Sequence, residues 1–412
     1  MSLSTENSKS LPRKVQILLI GNALSAIGNG LVLPYVFIYF HNVRGIPSSV
    51  AGIIVGYSAF ASLVVSPKIG SLIDHWGPRP ILFYALLVSA VGYASLAWVR
   101  NIPEAVVAMT ICAVGQSGMW PAQGAIQAEL TPEHQRERIY GANFAMLNLG
   151  IGIGGVISSA IVRVAKPHSF QILYWGDGVS FLVYGLIVIA IGNVGHRTAD
   201  EREINSAREG GWRDVIADKA FRRFWIIAFF ALLCGYSQLE VGFASFSTLV
   251  AHLPASNIAY AYAANCIMIA SFQLYIVKKT EKWKRNKALA IATTFWLFAW
   301  VALSFAGVDR HHALFFVILC QIIFGIGEMV WSPLFPSITN QLAPDHLRGR
   351  YNAAGTNAWQ FALIAGPMFA GTLLGAGLPW VWVGGLVAGM GVVTIFALRL
   401  KLPERPSSTI SA

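Results

Sequence analysis

Charged residues are scarce in this chain. Asp, Glu, Lys and Arg together make up 12% of its 412 residues, about half their share in soluble domains. Hydrophobic residues make up 55%, and the mean hydropathy is +0.58. A soluble enzyme of this size would need a far more polar surface. The composition therefore excludes a soluble enzyme and indicates a polytopic membrane protein. Its many Gly and Ala residues favour membrane helices over a barrel.

Cysteine is equally scarce, with four residues in the chain. Each lies in an apolar run and no two have metal-ligand spacing, so they are predicted to be packing residues. The chain has no nucleotide-binding loop, and the adjacent His311 and His312 are poorly spaced for ligation. The sequence thus predicts no catalytic residues, no metal site and no cofactor.

Apolar runs of about 20 residues, enough to cross a bilayer, recur twelve times. The first run lacks a cleavage site and is predicted to be a retained helix. The first six spans are predicted near residues 15–40, 48–73, 80–99, 103–130, 139–163 and 170–194. The second six are predicted near residues 222–251, 257–277, 287–308, 312–341, 347–376 and 379–400.

The positive charge is distributed unevenly between the loops. With a cytoplasmic N-terminus, all but five of the 30 Lys and Arg residues face inward, as the positive-inside rule requires. The basic residues then face anionic lipid, and no nucleic-acid partner is needed to explain the net charge of +11. We expect both termini in the cytoplasm, a bacterial cytoplasmic membrane as the location, and a monomer. The five outward residues are Arg44, Arg100, Arg163, Lys166 and Arg310.

One long polar stretch, from Gly195 to Phe221, separates the sixth span from the seventh. Near its end Trp212, Val215, Ile216 and Ala220 share a helical face, which predicts a short amphipathic helix over 212–221 on the membrane surface. A linker without structure is the alternative. The predicted domains are residues 1–194, a linker at 195–221, a second half at 222–401, and a cytoplasmic tail at 402–412.

A short motif occurs twice, at corresponding places after the fourth and tenth spans. Pro132-Glu-His-Gln-Arg-Glu-Arg138 matches Pro344-Asp-His-Leu-Arg-Gly-Arg350, 212 residues later. The repeat predicts an all-α fold of twelve helices in two pseudo-symmetric halves of six. Transporters with such halves bind substrate between them, near the membrane midplane.

The loop after the second span carries the most specific motif. It reads Gly70-Ser-Leu-Ile-Asp74-His-Trp-Gly77-Pro-Arg79, and it is similar to the signature loop of the major facilitator superfamily, Gly-x-Leu-x-Asp-x-x-Gly-x-Arg. The resemblance extends over residues 14 to 401 and implies a secondary active transporter. In that family the Asp reaches the N-terminus of the eleventh helix and holds the cytoplasmic side closed. This implies a gating role for Asp74, in a loop shaped by Gly70, Gly77 and Arg79.

The fifth and eleventh spans resemble the antiporter motif of the same family, Gly-x-x-x-Gly-Pro-x-x-Gly-Gly. The fifth contains Gly150, Gly154 and Gly155, and the eleventh contains Gly366 and Pro367. Such small residues predict close helix packing, and the resemblance implies a seam that moves during transport. The drug/proton antiporters of the family usually place an Arg four residues before the Gly of the fourth span. Here that position is Ile111, which places the usual route of proton coupling in doubt.

Three acids are candidate sites for proton coupling or cation binding: Glu129, Glu240 and Glu328. No Lys or Arg lies deep in a span, and burial favours the protonated form of a carboxyl group. Within the superfamily the closest resemblance is to LmrP-type multidrug efflux proteins, which carry acids in comparable places. The alternative is a structural, hydrogen-bonded Glu at 240 and 328, and a solvated helix end at 129. Asp177 is predicted to be an interfacial charge at the outer start of the sixth span.

Polar and aromatic residues within the spans predict a wide, mostly apolar cavity for amphipathic compounds. The absence of a deeply embedded base favours neutral or cationic substrates over multiply charged anions. The predicted lining residues are Asn29, Gln116, Trp120, Asn148, Gln238, Trp331, Asn357 and Trp359.

The function predicted from these features is proton-coupled efflux of amphipathic small molecules by alternating access. One alternative is a transporter of one defined metabolite, such as a sugar or peptide. Another is a membrane sensor or scaffold that has lost transport.

Overall fold

Twelve long helices build the molecule. The computed structural model describes residues 13–32, 35–163, 166–192, 197–198 and 210–403. Twelve helices in these ranges are long and apolar enough to cross a membrane. The predicted spans are thereby confirmed, each within a few residues except the seventh. The first, predicted to end near residue 40, has further helical turns after Val32, at Val36–Ile38 and Tyr39–Val43. We number them α1 Arg13–Val32, α2 Ser48–Trp76, α3 Pro78–Ser95, α4 Ile102–Glu129, α5 Arg136–Ile161, α6 Pro167–Ala190, α7 Lys219–Cys234, α8 Ala255–Thr280, α9 Arg285–Val308, α10 Ala313–Leu342, α11 Arg348–Gly375 and α12 Pro379–Arg399.

The two halves begin matching helices at matching positions. A 3₁₀ turn at Glu133–Gln135 leads into α5, and one at Asp345–Leu347 leads into α11. Their first residues, Arg136 and Arg348, are 212 positions apart. In the first half α1 packs on α5 and α6, and α3 on α4 and α6; in the second, α9 packs on α10 and α12. Between the halves, α2 packs on α11, and α5 packs on α8.

The helices are apolar on their outer faces as well as in the core. Val156 is 72% exposed and Ile267 is 65% exposed, while Trp296 and Trp300 are completely buried. Outward-facing apolar side chains of this kind suit contact with lipid rather than water. The polar residues that lie inside the bundle therefore stand out as candidates for function.

The linker helix, Trp212–Ala217, differs from its prediction. It ends at Ala217, and Asp218 then caps α7 by accepting hydrogen bonds from the amides of Ala220 and Phe221. The Trp212 indole donates to the Pro67 carbonyl of α2 at 3.1 Å, and Val215 is buried. The predicted ten-residue surface helix is therefore a six-residue helix with two of its apolar residues on the protein. The predicted linker residues 195–196 and 199–209, and the tail residues 404–412, lie outside the described residues.

Candidate functional site

The seventh span is broken near its middle. After Cys234 the chain leaves the α-helix at Gly235, forms a 3₁₀ turn at Tyr236–Gln238 and a π-helical segment at Leu239–Phe243, and resumes as Ala244–Leu249. The prediction of one continuous helix over 222–251 is therefore wrong. Irregular backbone at membrane depth is tolerated where it is buried in protein or lines a cavity, and π-helical turns often mark functional sites.

Side chains from neighbouring helices and from the broken segment itself satisfy the backbone at this break. Trp300 of α9 donates to the Cys234 carbonyl at 2.8 Å, and Tyr262 of α8 donates to the Leu239 carbonyl at 2.6 Å. Gln238 donates to the Leu233 carbonyl at 2.8 Å and accepts from the Trp382 indole at 2.9 Å. The break is therefore a built feature of the fold. Glu240 lies in the π-helical segment, and its side chain is outside the described part of the structure.

Glu328 lies on α10 beside this break and is almost fully buried. Its Oε2 accepts a hydrogen bond from Asn265 Nδ2 of α8 at 2.6 Å, and the Tyr236 side chain lies close enough to interact with the same carboxyl group. Among the described residues, no Lys or Arg forms an ion pair with it. A buried carboxylate without a counter-charge is very unfavourable. The site is therefore suited to holding a proton, or a cation in its place.

An aromatic cluster that includes Tyr236 lies beside this carboxyl group. The Tyr236 ring lies 4.6 Å from Trp359, 5.3 Å from Trp296 and 5.6 Å from Phe324, measured between centroids. Trp331 lies 5.2 Å from Trp296. Aromatic faces attract cations and offer large apolar contact areas. An acid beside such a cluster is chemically matched to an amphipathic cation.

The first half holds a buried acid that the sequence analysis misplaced. Because α6 begins at Pro167, Asp177 lies ten residues into a 24-residue helix, and it is completely buried. Its Oδ1 accepts a hydrogen bond from Ser180 at 3.2 Å, while Oδ2 has no partner among the described residues. The prediction of an interfacial charge is wrong. Pro167 at the first turn is the signal that could have placed the helix start correctly.

Polar residues of the first half also bond with one another. Asn143 Oδ1 accepts from the side-chain amides of Asn22, Gln123 and Gln127, each at 3.0 Å. These groups join α1, α4 and α5 in one network. The network is only partly satisfied, because the buried Gln123 Oε1 has no partner among the described residues. We assign it to packing between these helices.

The predicted cavity residues divide into two groups. Gln238 and Trp331 are buried, and the hydrogen bonds of Gln238 are used at the α7 break, so neither residue lines a cavity in this conformation. Trp120 is 37% exposed, and the buried Asn357 Oδ1 has no partner in the described structure. Asn29 is also buried. Partial exposure leaves five of the predicted lining residues available to a substrate: Gln116, Trp120, Asn148, Asn357 and Trp359.

Contacts between the halves concentrate at one end of the bundle, which we call the basic end and which holds Asp74, Arg285 and Arg350. Asp74 accepts hydrogen bonds from the Gly349 amide, from the Arg350 amide at 3.2 Å and from Arg350 Nη1 at 2.9 Å. These amides form the first turn of α11, where the helix dipole attracts negative charge. Asp74 therefore joins the second span to the eleventh.

The rest of the signature loop positions this carboxylate. Gly77 ends α2 with φ at 92°, a conformation that favours glycine. Arg79 donates to the Val188 and Ile189 carbonyls at the end of α6, at 3.2 and 3.0 Å. A Cβ built on Gly70 would lie 2.7 Å from the Ala353 side chain, so glycine permits close approach of α2 to α11.

A second contact of opposite polarity lies at the symmetric place. There Arg285, at the start of α9, pairs with Glu137 of α5 at 3.4 Å and donates to Ser337 Oγ at 3.2 Å. Glu137 occupies the position that corresponds to Gly349 in the repeat. The corresponding loop of the second half lacks the signature Asp. In its place Arg285 of the second half pairs with Glu137 of the first half.

Glu129 has a different environment from Glu328. It ends α4 at the basic end and forms an ion pair with Arg197, a residue of the segment that follows α6. Glu129 therefore has the contacts of a helix-end charge that links two segments.

The glycines of the antiporter-like motif also differ from one another. A Cβ on Gly150 would lie 2.6 Å from Ala26, and one on Gly154 would lie 2.1 Å from the Ile27 carbonyl, so both pack closely on α1. Gly155 has no atom within 4 Å of such a Cβ, so the prediction of close packing is wrong there. In the second half Gly366 packs on Ser237 at the α7 break, and Pro367 follows it inside α11.

Comparisons with known proteins fit this arrangement. A family model described as the Major Facilitator Superfamily matches residues 18–367 and 272–412. The chain belongs to the major facilitator superfamily. It is a multi-pass membrane transporter of that family.

Individual relatives of this transporter are distant. It is 26% identical to the MFS-type transporter YttB of Bacillus subtilis, over 88% of this chain and 89% of YttB. It is 23% identical to the multidrug resistance protein MdtH of Proteus mirabilis, over 95% of each chain. The crystal structure of the human organic anion transporter MFSD10 has a TM-score of 0.74 at 14% identity, over 94% of this chain and all of that one. At that identity the structural likeness shows the fold alone.

Proposed function

We propose that this transporter exports amphipathic, neutral or cationic small molecules in exchange for protons, with both termini in the cytoplasm of a bacterial cell and as a monomer. The observation that carries the proposal is Glu328, a buried carboxyl group that pairs with no Lys or Arg among the described residues, next to the broken α7 and beside an aromatic cluster. The name of one relative, multidrug resistance protein MdtH, supports the same substrate class.

In this proposal Glu328 is neutral while it is closed off from water. When the site opens to the cytoplasm, Glu328 releases its proton and a cationic substrate binds. When the site opens to the outside of the cell, the substrate leaves and a proton binds again. The partly exposed aromatic rings of Tyr236 and Trp359 then contribute cation–π and apolar contacts to the bound molecule. Proton and substrate compete for one carboxylate, which couples their opposite movements.

Alternating access would use the two contacts at the basic end. With the Asp74 and Arg285 contacts made, the halves are held together there. Toward the other end of the bundle, a Cβ on Gly52 or Gly371 would have no atom within 4 Å. We infer that the structure represents a state closed toward the cytoplasm, and that rocking of one half against the other breaks these contacts.

Transport in proteoliposomes with an imposed pH gradient tests the proposal. We expect gradient-driven flux of a lipophilic cation, and we expect Glu328→Gln to abolish it because the amide mimics the protonated acid. The matched control is Asp309→Asn, an acid whose side chain is 44% exposed between α9 and α10, which should retain flux. Full proton-driven flux in Glu328→Gln would place coupling elsewhere, with Asp177 as the next candidate. Flux of a single metabolite and no drug would contradict the substrate class.

A further inference from the structure

An apolar groove runs along the outer surface of the second half, between α7, α11 and α12. Its volume is about 710 Å³. Large apolar side chains form its walls, among them Phe230 of α7, Phe369 of α11 and Phe396 of α12, which are 43–55% exposed. These helices cross the membrane, so the groove opens toward lipid.

Two glycines of α12 form the floor of this groove. Gly385 and Gly389 are one helical turn apart, and both line the groove. A Cβ on Gly385 would find its nearest neighbour, the Phe369 ring, 3.9 Å away. A side chain at this position would therefore project into open space and occupy the groove. The absence of a side chain at Gly385 leaves the groove wide enough for an acyl chain.

Three cations line the groove at its basic end. Arg223 lies in the first turns of α7, Arg399 ends α12, and Lys401 follows it. All three are exposed, no acid lines the groove with them, and none forms an ion pair within the described part of the chain. Guanidinium groups bind phosphate through charge-assisted hydrogen bonds.

We propose that this groove is a binding site for an anionic phospholipid. The acyl chains would lie along the apolar walls, and the phosphate of the head group would bind Arg223, Arg399 and Lys401. Free phosphate would neutralise the three cations but leave the apolar walls uncovered. A zwitterionic lipid would cover the apolar walls but place its own positively charged group next to the basic residues. An anionic lipid complements both ends of the site. This inference concerns a surface outside the proposed transport site and does not depend on it.

Lipid retention by the purified, folded protein in detergent tests the proposal by native mass spectrometry. We expect phosphatidylglycerol to be retained roughly tenfold better than phosphatidylcholine of the same chain length, the scale that a few interfacial cations provide. The triple variant Arg223→Gln, Arg399→Gln, Lys401→Gln should lose this preference. A triple variant of the same charge at the other end of the bundle, Arg100→Gln, Lys166→Gln, Arg310→Gln, should keep it.

The apolar part of the site has its own matched pair of variants. Gly385→Leu should fill the groove and reduce retention of phosphatidylglycerol severalfold. Gly384→Leu, on the neighbouring position with no atom within 4 Å and outside the groove, should leave retention unchanged. Equal retention in both leucine variants, or equal loss in the two glutamine triples, would overturn the proposal. Displacement of the lipid by millimolar inorganic phosphate would also overturn it, since the cations alone would then account for binding.

Discussion

A close approach between the halves, at Gly349, gives a sharp test of the closed state. A Cβ built there would lie 2.5 Å from the Gly70 carbonyl oxygen, 2.6 Å from Ile73 Cβ and 2.7 Å from Asp74 Oδ1. Two of these atoms are backbone or directly attached to it, so they cannot rotate away. Ordinary carbon contacts need about 3.5 Å. Gly349→Ala must therefore push α2 and α11 apart by roughly 1 Å at this contact.

The expected effect on the conformational equilibrium follows from this overlap. Overpacking by one methyl group costs about 1–3 kcal/mol, which corresponds to roughly a 5- to 150-fold shift between two states. The closed state alone contains the contact, so we expect the protein to remain folded while the population open at the basic end rises. The same substitution at Gly371, on the same helix and with no atom within 4 Å, is the control. Both substitutions replace glycine by alanine in the same helix, so the gain in helix propensity cancels when the two variants are compared.

Distances between spin labels measure the shift. One pair, at His134 and Lys282, spans the basic end, and both sites are exposed in loops of different halves. A second pair, at Arg100 and Leu378, spans the opposite end. In Gly349→Ala the first distance should lengthen and the second should shorten, as expected for rocking of the halves. Distributions identical to those of Gly371→Ala would refute the reasoning, because the clash would then have been absorbed locally.

Three further predictions concern single side chains. Asp74→Asn should weaken its charge contact with α11 by about 0.3–2 kcal/mol and lengthen the distance across the basic end; unchanged distances with normal transport would contradict the gating role. Asp177→Asn should leave the protein folded and remove one protonated-carboxyl band from its infrared spectrum, because its buried Oδ2 has no partner in the described structure; an unchanged spectrum would show that this acid is ionised. In a single-Trp variant, Trp212 should emit at shorter wavelength than a hydrated indole and resist quenching by brominated lipid, since its indole donates to Pro67. Strong quenching would instead support the membrane-surface helix.

The sequence alone predicts much of the architecture of this transporter. A span needs about 20 apolar residues whatever its neighbours are, so the twelve helices appear in the hydropathy pattern. The repeat at Arg136 and Arg348 predicted the pseudo-symmetry. The resemblance of the loop around Asp74 to the family's signature predicted that the second helix contacts the eleventh. The Asp74 contact with the amides of Gly349 and Arg350 is present in the structure. Such features depend on local composition or on a motif whose residues are contiguous.

The tertiary structure decided what each polar side chain inside the membrane does. The interruption of α7 at Gly235 is tolerated because Trp300 and Tyr262, from helices later in the chain, and Gln238, from the break itself, satisfy the freed carbonyl groups. The side chain of Gln238 is fully used in hydrogen bonds at the break, whereas Glu328 accepts a hydrogen bond from Asn265 and lies beside an aromatic cluster. The sequence by itself determined which segments enter the membrane, because transfer from water to lipid is a property of each segment. Which buried group has a partner depends on contacts between residues far apart in the chain, and only the packed bundle brings those groups within hydrogen-bond distance.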